Sequence, residues 1–256
     1  MKSNQKIFSG VFLLLSLAIL QFLLPVFVYA EIKLKTPSWE KVTLSHKNNE
    51  YVFLLIDDGK SKEGKAVEQV LQDVNKELGN KCKSIKVLST DKKEAELIKF
   101  FRITDELVPV VFVIAPNGAI SSVFSKSIDK KALKESIVSE QESAVILNLQ
   151  EGRLALLCYY KAGDSYLETA RSEIKAIETY FKGMASTFYI NRNDIKGKPL
   201  FNNMVEKLGV TDKITVLTLA PPGRVVNKLE GEQITRNNLL QSILASCGSG
   251  CGSGCK

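Results

Sequence analysis

The chain ends in Ser246-Cys247-Gly248-Ser249-Gly250-Cys251-Gly252-Ser253-Gly254-Cys255-Lys256, so three cysteines recur at a spacing of four between identical Gly-Ser-Gly linkers. Glycine and serine bring no apolar surface and leave the backbone maximally free, so sulfurs placed this way do not serve a core. Two chemistries suit them. Mobile thiolates can close a digonal or trigonal site around a soft ion such as Cu(I) or Zn. On that reading Cys247, Cys251 and Cys255 are metal ligands, and a soft metal ion is the one cofactor the sequence suggests. Alternatively a mobile dithiol attacks a partner's disulfide while the third thiol resolves the adduct, or the tail links chains covalently. The spacing fits no zinc-finger pattern, lacks histidine, and lacks the Cys-x-x-Cys-His of haem attachment.

Two further cysteines lie elsewhere. Cys82 is flanked by Lys81 and Lys83 in a polar stretch and is expected as an exposed thiol, a fourth redox candidate. Cys158 sits inside an apolar run and reads as a small core residue. Five cysteines leave at least one that cannot pair within a monomer. The single histidine, His46, falls in a polar stretch and is expected to be solvated, while Asp57-Asp58-Gly59 reads as a turn. Trp39 and the Tyr159-Tyr160 pair read as packing residues. No nucleophile elbow, P-loop, dinucleotide fingerprint or zinc-protease motif is present.

The first thirty residues carry an address. Lys2 and Lys6 precede an apolar run over 7–28, and Val28 and Ala30 fit the small-residue positions before a signal-peptidase cut at Glu31. No cysteine follows Ala30, which argues against a lipoprotein. The run is also long enough for an uncleaved anchor, but Pro25 and Ala30 favour cleavage. The chain is therefore expected to be exported, periplasmic or extracellular, with membrane contact only if the segment stays attached.

The formal net charge of +7 falls to +5 when Lys2 and Lys6 leave. The remaining lysines alternate with acids, as on solvated faces. No aromatic-interleaved basic stripe points to nucleic acid.

The elements that must position these residues occur twice. Residues 40–45 alternate weakly and are expected as an opening strand. Then 51–56 (YVFLLI) is a continuous apolar run, the mark of a strand buried on both faces. A helix follows, with Val67, Val70, Leu71, Val74 and Leu78 at helical spacing. A strand over 84–88, a helix through Leu97, Ile98 and Phe101, a strand over 110–114 (VVFVI), the turn Pro116-Asn117-Gly118, a return strand and a helix over 128–138 complete the first copy. The order then repeats: strand 154–159, helix to Phe181, strand 186–190, helix 199–208, strand 214–219, turn Pro221-Pro222-Gly223, strand 224–229 and helix 235–245. Pro116, Gly118 and Val113 match Pro221, Gly223 and Thr218 at one offset, so an internal duplication is the simplest origin.

On these residues the chain resembles the thioredoxin fold family. The stretch FRITDELVPVVFVIAPNGAISSVF (101–124) is similar to the second half of such a domain, with its Val-Pro step before an apolar strand and its glycine turn. The stretch KLGVTDKITVLTLAPPGRVVNKL (207–229) is similar to that half again. The resemblance implies an α/β protein with two tandem thioredoxin-like three-layer α/β/α domains after an N-terminal signal segment. Its divisions are 1–30 (signal or anchor), 31–145, 146–246, and a tail over 247–256. It also implies a Cys-x-x-Cys where the first buried strand meets its helix, because a helix N-terminus lowers thiol pKa. Neither copy has one: the stretches there are Asp57-Asp58-Gly59-Lys60-Ser61-Lys62 and Tyr160-Lys161-Ala162-Gly163-Asp164-Ser165. Pro109 occupies the family's cis-proline place, so Val108 and Pro109 are expected to dock an extended peptide, whereas Ile214 stands there in the second copy. What the resemblance implies is a non-catalytic module that binds a protein or peptide partner and presents the cysteine tail.

Overall fold

The computed structural model describes residues 34–248, with side chains described as far as Ala245. It divides into two units, the first ending at Leu147 and the second beginning at Asn148.

Unit 1 opens with a helix, α1 (Pro37–Lys47), where a strand was expected. The local chemistry decides this. Thr36 Oγ1 accepts the Trp39 N–H, Pro37 occupies the first helical position, and Glu94 Oε1 accepts the Ser38 N–H at 2.9 Å. Trp39, Val42 and Ser45 then share a buried face at helical spacing, which outweighs the weak alternation of polar residues around them.

The sheet of this unit joins β1 (Tyr51–Asp57), β2 (Cys82–Leu88), β3 (Val110–Ile114) and β4 (Ile120–Ser125) in the order β2-β1-β3-β4. β2 runs parallel to β1, and β3 and β4 are antiparallel to their neighbours. Because strand side chains alternate, the sheet has two apolar faces. Val52, Leu54, Ile56, Val110 and Phe112 pack with Trp39 of α1, Leu97 of α3 (Ala95–Phe100) and Phe101, which caps α3. Phe53, Leu55, Val111 and Val113 pack with Val67, Leu71, Val74 and Leu133 from α2 (Lys62–Leu78) and α4 (Lys130–Glu135).

The helix expected over 128–138 ends at Glu135, and a new one, α5 (Glu140–Gln150), follows. Its start is a capping box: Glu142 Oε2 accepts the Ser139 N–H at 2.7 Å and Ser139 Oγ accepts the Glu142 N–H at 3.3 Å.

Unit 2 repeats the plan with β5 (Leu154–Tyr160), α6 (Leu167–Phe181), β6 (Ala185–Asn191), α7 (Pro199–Lys207), β7 (Thr215–Ala220), β8 (Arg224–Glu230) and α8 (Arg236–Gly248), sheet order β6-β5-β7-β8. Leu156, Cys158 and Val216 face Ile174, Ile177, Leu239 and Ile243 of α6 and α8, and Tyr159 on the opposite face meets the Phe201 ring of α7 edge-on.

Duplication extends to the register. Tyr51 pairs with Cys82 and Leu154 with Ala185, each position shifted by 103. The β3–β4 irregularity at Val113/Ile114 recurs at Thr218/Leu219, and the turn bond from Gly118 N–H to the Ala115 carbonyl (2.8 Å) recurs from Gly223 to Ala220 (2.8 Å), each shifted by 105.

Candidate functional site

The position where a redox dithiol would sit is the start of α2 in unit 1 and of α6 in unit 2. In unit 1 the chain spends this place on self-satisfaction. Ser61 caps α2 by accepting the Gly64 N–H at 3.0 Å, and Asp58 Oδ1 accepts the N–H groups of Lys60 and Ser61, which hold its carboxyl down to about 2. Beneath the turn Asp57 is 1% exposed and lies 3.6 Å from Lys86 Nζ, with Ser61 Oγ donating to it at 3.4 Å. Gly64 packs directly on that carboxylate. A Cβ there would stand 2.2 Å from Asp57 Oδ1. Alanine normally improves a helix interior over glycine by about 1 kcal/mol. Here Asp57 is held and cannot yield, so Gly64→Ala should instead destabilise by about 1–3 kcal/mol, read as a lowered urea midpoint.

In unit 2 the corresponding turn holds Asp164, whose Oδ1 accepts the Tyr166 N–H at 3.0 Å. Tyr160 and Tyr189 stand where unit 1 has Asp57 and Lys86, and the Arg171 guanidinium lies 5.2 Å from the centre of the Tyr189 ring.

The cysteines inside the domains are sequestered. Cys158 is fully buried in β5, and burial pushes its thiol up to about 12. Cys82 is the first residue of β2 and only 8% exposed, and burial pushes its thiol up to about 11. The exposed thiol expected at Cys82 is therefore not found: strand alternation turns the side chain inward against the α2 face while its lysine neighbours point to water. Ala185 fills the same register position in unit 2, which marks the place as one for a small packing residue. Cys247 lies in the backbone of the last turn of α8, and Cys251 and Cys255 lie outside the described residues, as does the N-terminal segment. Among the described residues no group of three His, Cys, Asp or Glu could hold a metal ion, and no helix is long and apolar enough to cross a membrane.

The Val108–Pro109 peptide bond is cis, and no cis bond precedes Ile214. Both Val108 and Pro109 are buried. Lys126, in left-handed conformation at φ 69°, donates its N–H to the Pro109 carbonyl (2.8 Å) and its Nζ to the Val108 carbonyl (3.2 Å), and Ser125 Oγ donates to the Leu107 carbonyl.

Strand order, strand directions, helices on both faces and the proline before β3 agree in one architecture. The fold of both units is thioredoxin-like. The chain matches no protein-family model and no curated protein sequence. Solved structures similar to it include the first two thioredoxin domains of Saccharomyces cerevisiae Eps1p, at 14% identity over 83% of this chain and 97% of that one, TM-score 0.33. Human ERp44 in a zinc-bound form is similar at 11% identity over 84% and 60%, TM-score 0.34. Fasciola hepatica thioredoxin is similar at 14% identity over 41% and 88%, TM-score 0.31.

The thioredoxin-like unit 2 carries a cleft that sequence reasoning missed. It encloses about 590 Å³ at the sheet's end, where the loop before α6 (Asp164, Ser165, Tyr166), the Lys213-Ile214 step before β7 and the 230–233 turn converge. Arg192, with a side chain 9% exposed, donates to the Lys213 carbonyl at 3.0 Å and approaches Asp212 at 3.7 Å.

His46, expected in solvent, instead belongs to α1, half-buried near the Gly118 turn, with Nε2 lacking a hydrogen-bond partner among the described residues. Burial lowers its pKa below 6.5. The unfolded chain therefore binds this proton more readily. Stability is fully present above pH 6.5 and is lost as pH falls through the folded value. The urea midpoint should drop between pH 7.5 and 5, and drop less in His46→Gln.

Proposed function

We propose that this chain is an exported, non-catalytic tandem thioredoxin-like protein. It binds a protein or peptide partner and presents Cys247, Cys251 and Cys255 to that partner for thiol exchange or covalent linkage. The observation that carries this reading is the distribution of sulfur. Neither helix start holds a thiol, and both thiols inside the domains are buried in strands with pKa values of about 11 and 12. Chemistry that needs a thiolate near neutral pH is left to the tail. Export is supported by the signal-like first thirty residues, whose charge and cleavage pattern belong to a secreted chain.

The test is the mass of the mature chain recovered from an oxidising compartment, with alkylation, for wild type and for the variant with Ser at 247, 251 and 255. A mature terminus at Glu31 and reducible adducts on wild type, absent from the variant, support the proposal. A chelator-sensitive metal adduct on the tail would favour soft-metal binding instead, and a full-length cytoplasmic chain would overturn export.

A further inference from the structure

The two units share one plan, but the ends at which α2 and α6 finish differ in chemistry. Matched through the sheet register, with its shift of 103 residues, Glu77, Leu78, Gly79 and Lys81 correspond to Tyr180, Phe181, Lys182 and Met184. Gly79 and Lys182 cap the two helices with positive φ, 60° and 44°, in agreement with that match. In unit 1 this end is charged. Glu77 pairs with Lys130 and, at 3.2 Å, with Lys134, both of α4, and Lys81 is exposed. In unit 2 both charges are replaced by apolar side chains, Tyr180 and Met184, each about half exposed.

Leu244 joins them. β5 and β8 both run antiparallel to β7, so α6 and α8, which follow them, return side by side in one direction. Arg236 N–H at the start of α8 donates to Glu173 Oε2 of α6, which sets their register. Eight residues further along each helix, about 12 Å, Leu244 stands level with Phe181. Ile177, Phe181 and Ile243 share one cluster beneath, while Leu244 is about half exposed. Three of the six large apolar side chains exposed among the described residues thus gather at one end of unit 2. The charged counterpart in unit 1 shows that the fold itself does not require them there.

The tail departs from this same end, since Cys247 lies three residues beyond Leu244 in the last turn of α8. From Cys247 to Cys255 the chain can span at most about 28 Å. Cys82 and Cys158 are buried, so disulfides are left to the three tail cysteines. One pair among three leaves one over, and an odd thiol in an oxidising compartment pairs between molecules. A second copy answers both features. A twofold contact lays the apolar end on its own image, with Tyr and Met of the kind enriched at the centre of such contacts. It also brings two α8 ends together, where two tails meet at high effective concentration.

We propose that the end of unit 2 bearing Tyr180, Met184 and Leu244 is a self-association surface, on which a second copy of this chain docks about a twofold axis, and that a tail disulfide between the copies locks the pair. The oxidant is a small disulfide such as oxidised glutathione. One tail thiolate attacks it and expels a glutathione thiolate. The second copy's tail thiolate attacks the protein sulfur of that mixed disulfide and expels the other, so two protein thiols become one disulfide while two glutathione thiols take up the electrons and protons. This rests on the covalent-linkage branch of the reading above and names a second copy as the partner.

The experiment is light scattering on the mature chain at about 100 μM in 150 mM NaCl, where exposed charges are screened beyond about 8 Å. Reduced wild type and the variant with Ser at 247, 251 and 255 should both have the mass of a dimer and dissociate on dilution. Tyr180→Glu and, as a second variant in case the first folds poorly, Leu244→Glu should each weaken the dimer at least about tenfold with unchanged thermal unfolding. With oxidised glutathione, wild type should form a dimer linked through its tail at least about tenfold faster than either of these variants. A monomeric tail variant at that concentration, or Glu variants that dimerise and cross-link like wild type, overturns the surface. If wild type yields only monomer carrying glutathione while tail adducts with a different protein still form, this inference fails and the partner-binding reading stands. If neither dimer nor adduct forms, both fail.

Discussion

Native, fully reduced protein at pH 8 should titrate three fast thiols with Ellman's reagent, and all five only after denaturation in guanidinium. The nucleophile is the thiolate, so reactivity follows pKa and access. Burial raises Cys82 from an ordinary 9.0 to about 11 and Cys158 to about 12. Each pKa unit is tenfold in thiolate fraction well below the pKa, so the two buried thiols should lag an ordinary cysteine by about a hundredfold and a thousandfold before steric shielding is counted. Cys158 is also closed off by both neighbouring strands, pairing with Tyr189 of β6 and Val216 of β7. A rapid fourth equivalent, mapped to Cys82 by mass, would place a reactive thiol inside unit 1 and contradict the division of labour between domains and tail.

The second large effect is on stability. Phe101 is 1% exposed, stands 4.4 Å from Phe112 ring to ring and 6.0 Å from Trp39, and meets Phe100 edge-on at 5.0 Å. It joins the short helix α3 and the opening helix α1 to β3 in one aromatic cluster. Phe101→Ala removes the shared member, and a phenylalanine-sized void that rigid strands cannot refill costs about 3–5 kcal/mol. Set against a typical domain stability of about 5–15 kcal/mol, that is enough to unfold much of unit 1 at room temperature or to bring it close. The chain has one tryptophan, Trp39, and it sits in this cluster. Its fluorescence during urea unfolding therefore reports unit 1, and the midpoint should fall by a large fraction. A change below about 1 kcal/mol would mean that the cluster does not hold α1 and α3 to the sheet.

How much of this was legible in the sequence depends on what each feature is made of. The central strands were readable because YVFLLI and VVFVI are apolar on both faces, and only a sheet covered on both sides demands that. The duplication was readable because turn residues are few in type and their spacing survives. The opening helix is not legible in the sequence because its buried face is carried by only Trp39, Val42 and two serines, and its start is fixed by Glu94, fifty-six residues away from Ser38. The helix over 140–150 has a readable start in Ser139-x-x-Glu142. Cys82 was misplaced because flanking lysines suggest water, while a strand edge turns alternate residues to opposite sides.

Of the site, the missing dithiol is plain in the sequence, since neither helix start carries a cysteine. The cleft was not. It is bordered by Gly231, the counterpart of Lys126, and the equivalence of these two residues of left-handed backbone emerges only from their matching hydrogen bonds to Ile214 and Pro109. Its lining comes from three separate loops, and nothing in their local sequence announces that they meet.

The most direct test of the claim that neither thioredoxin-like unit performs dithiol chemistry is insulin reduction driven by dithiothreitol, with the mature chain bearing Ser at positions 247, 251 and 255. The rate should be indistinguishable from the dithiothreitol blank, because the remaining thiols are Cys82 and Cys158, both buried and protonated at neutral pH. Turnover that survives in this variant would contradict the claim, since it would require one of those two sulfurs to reach a substrate disulfide.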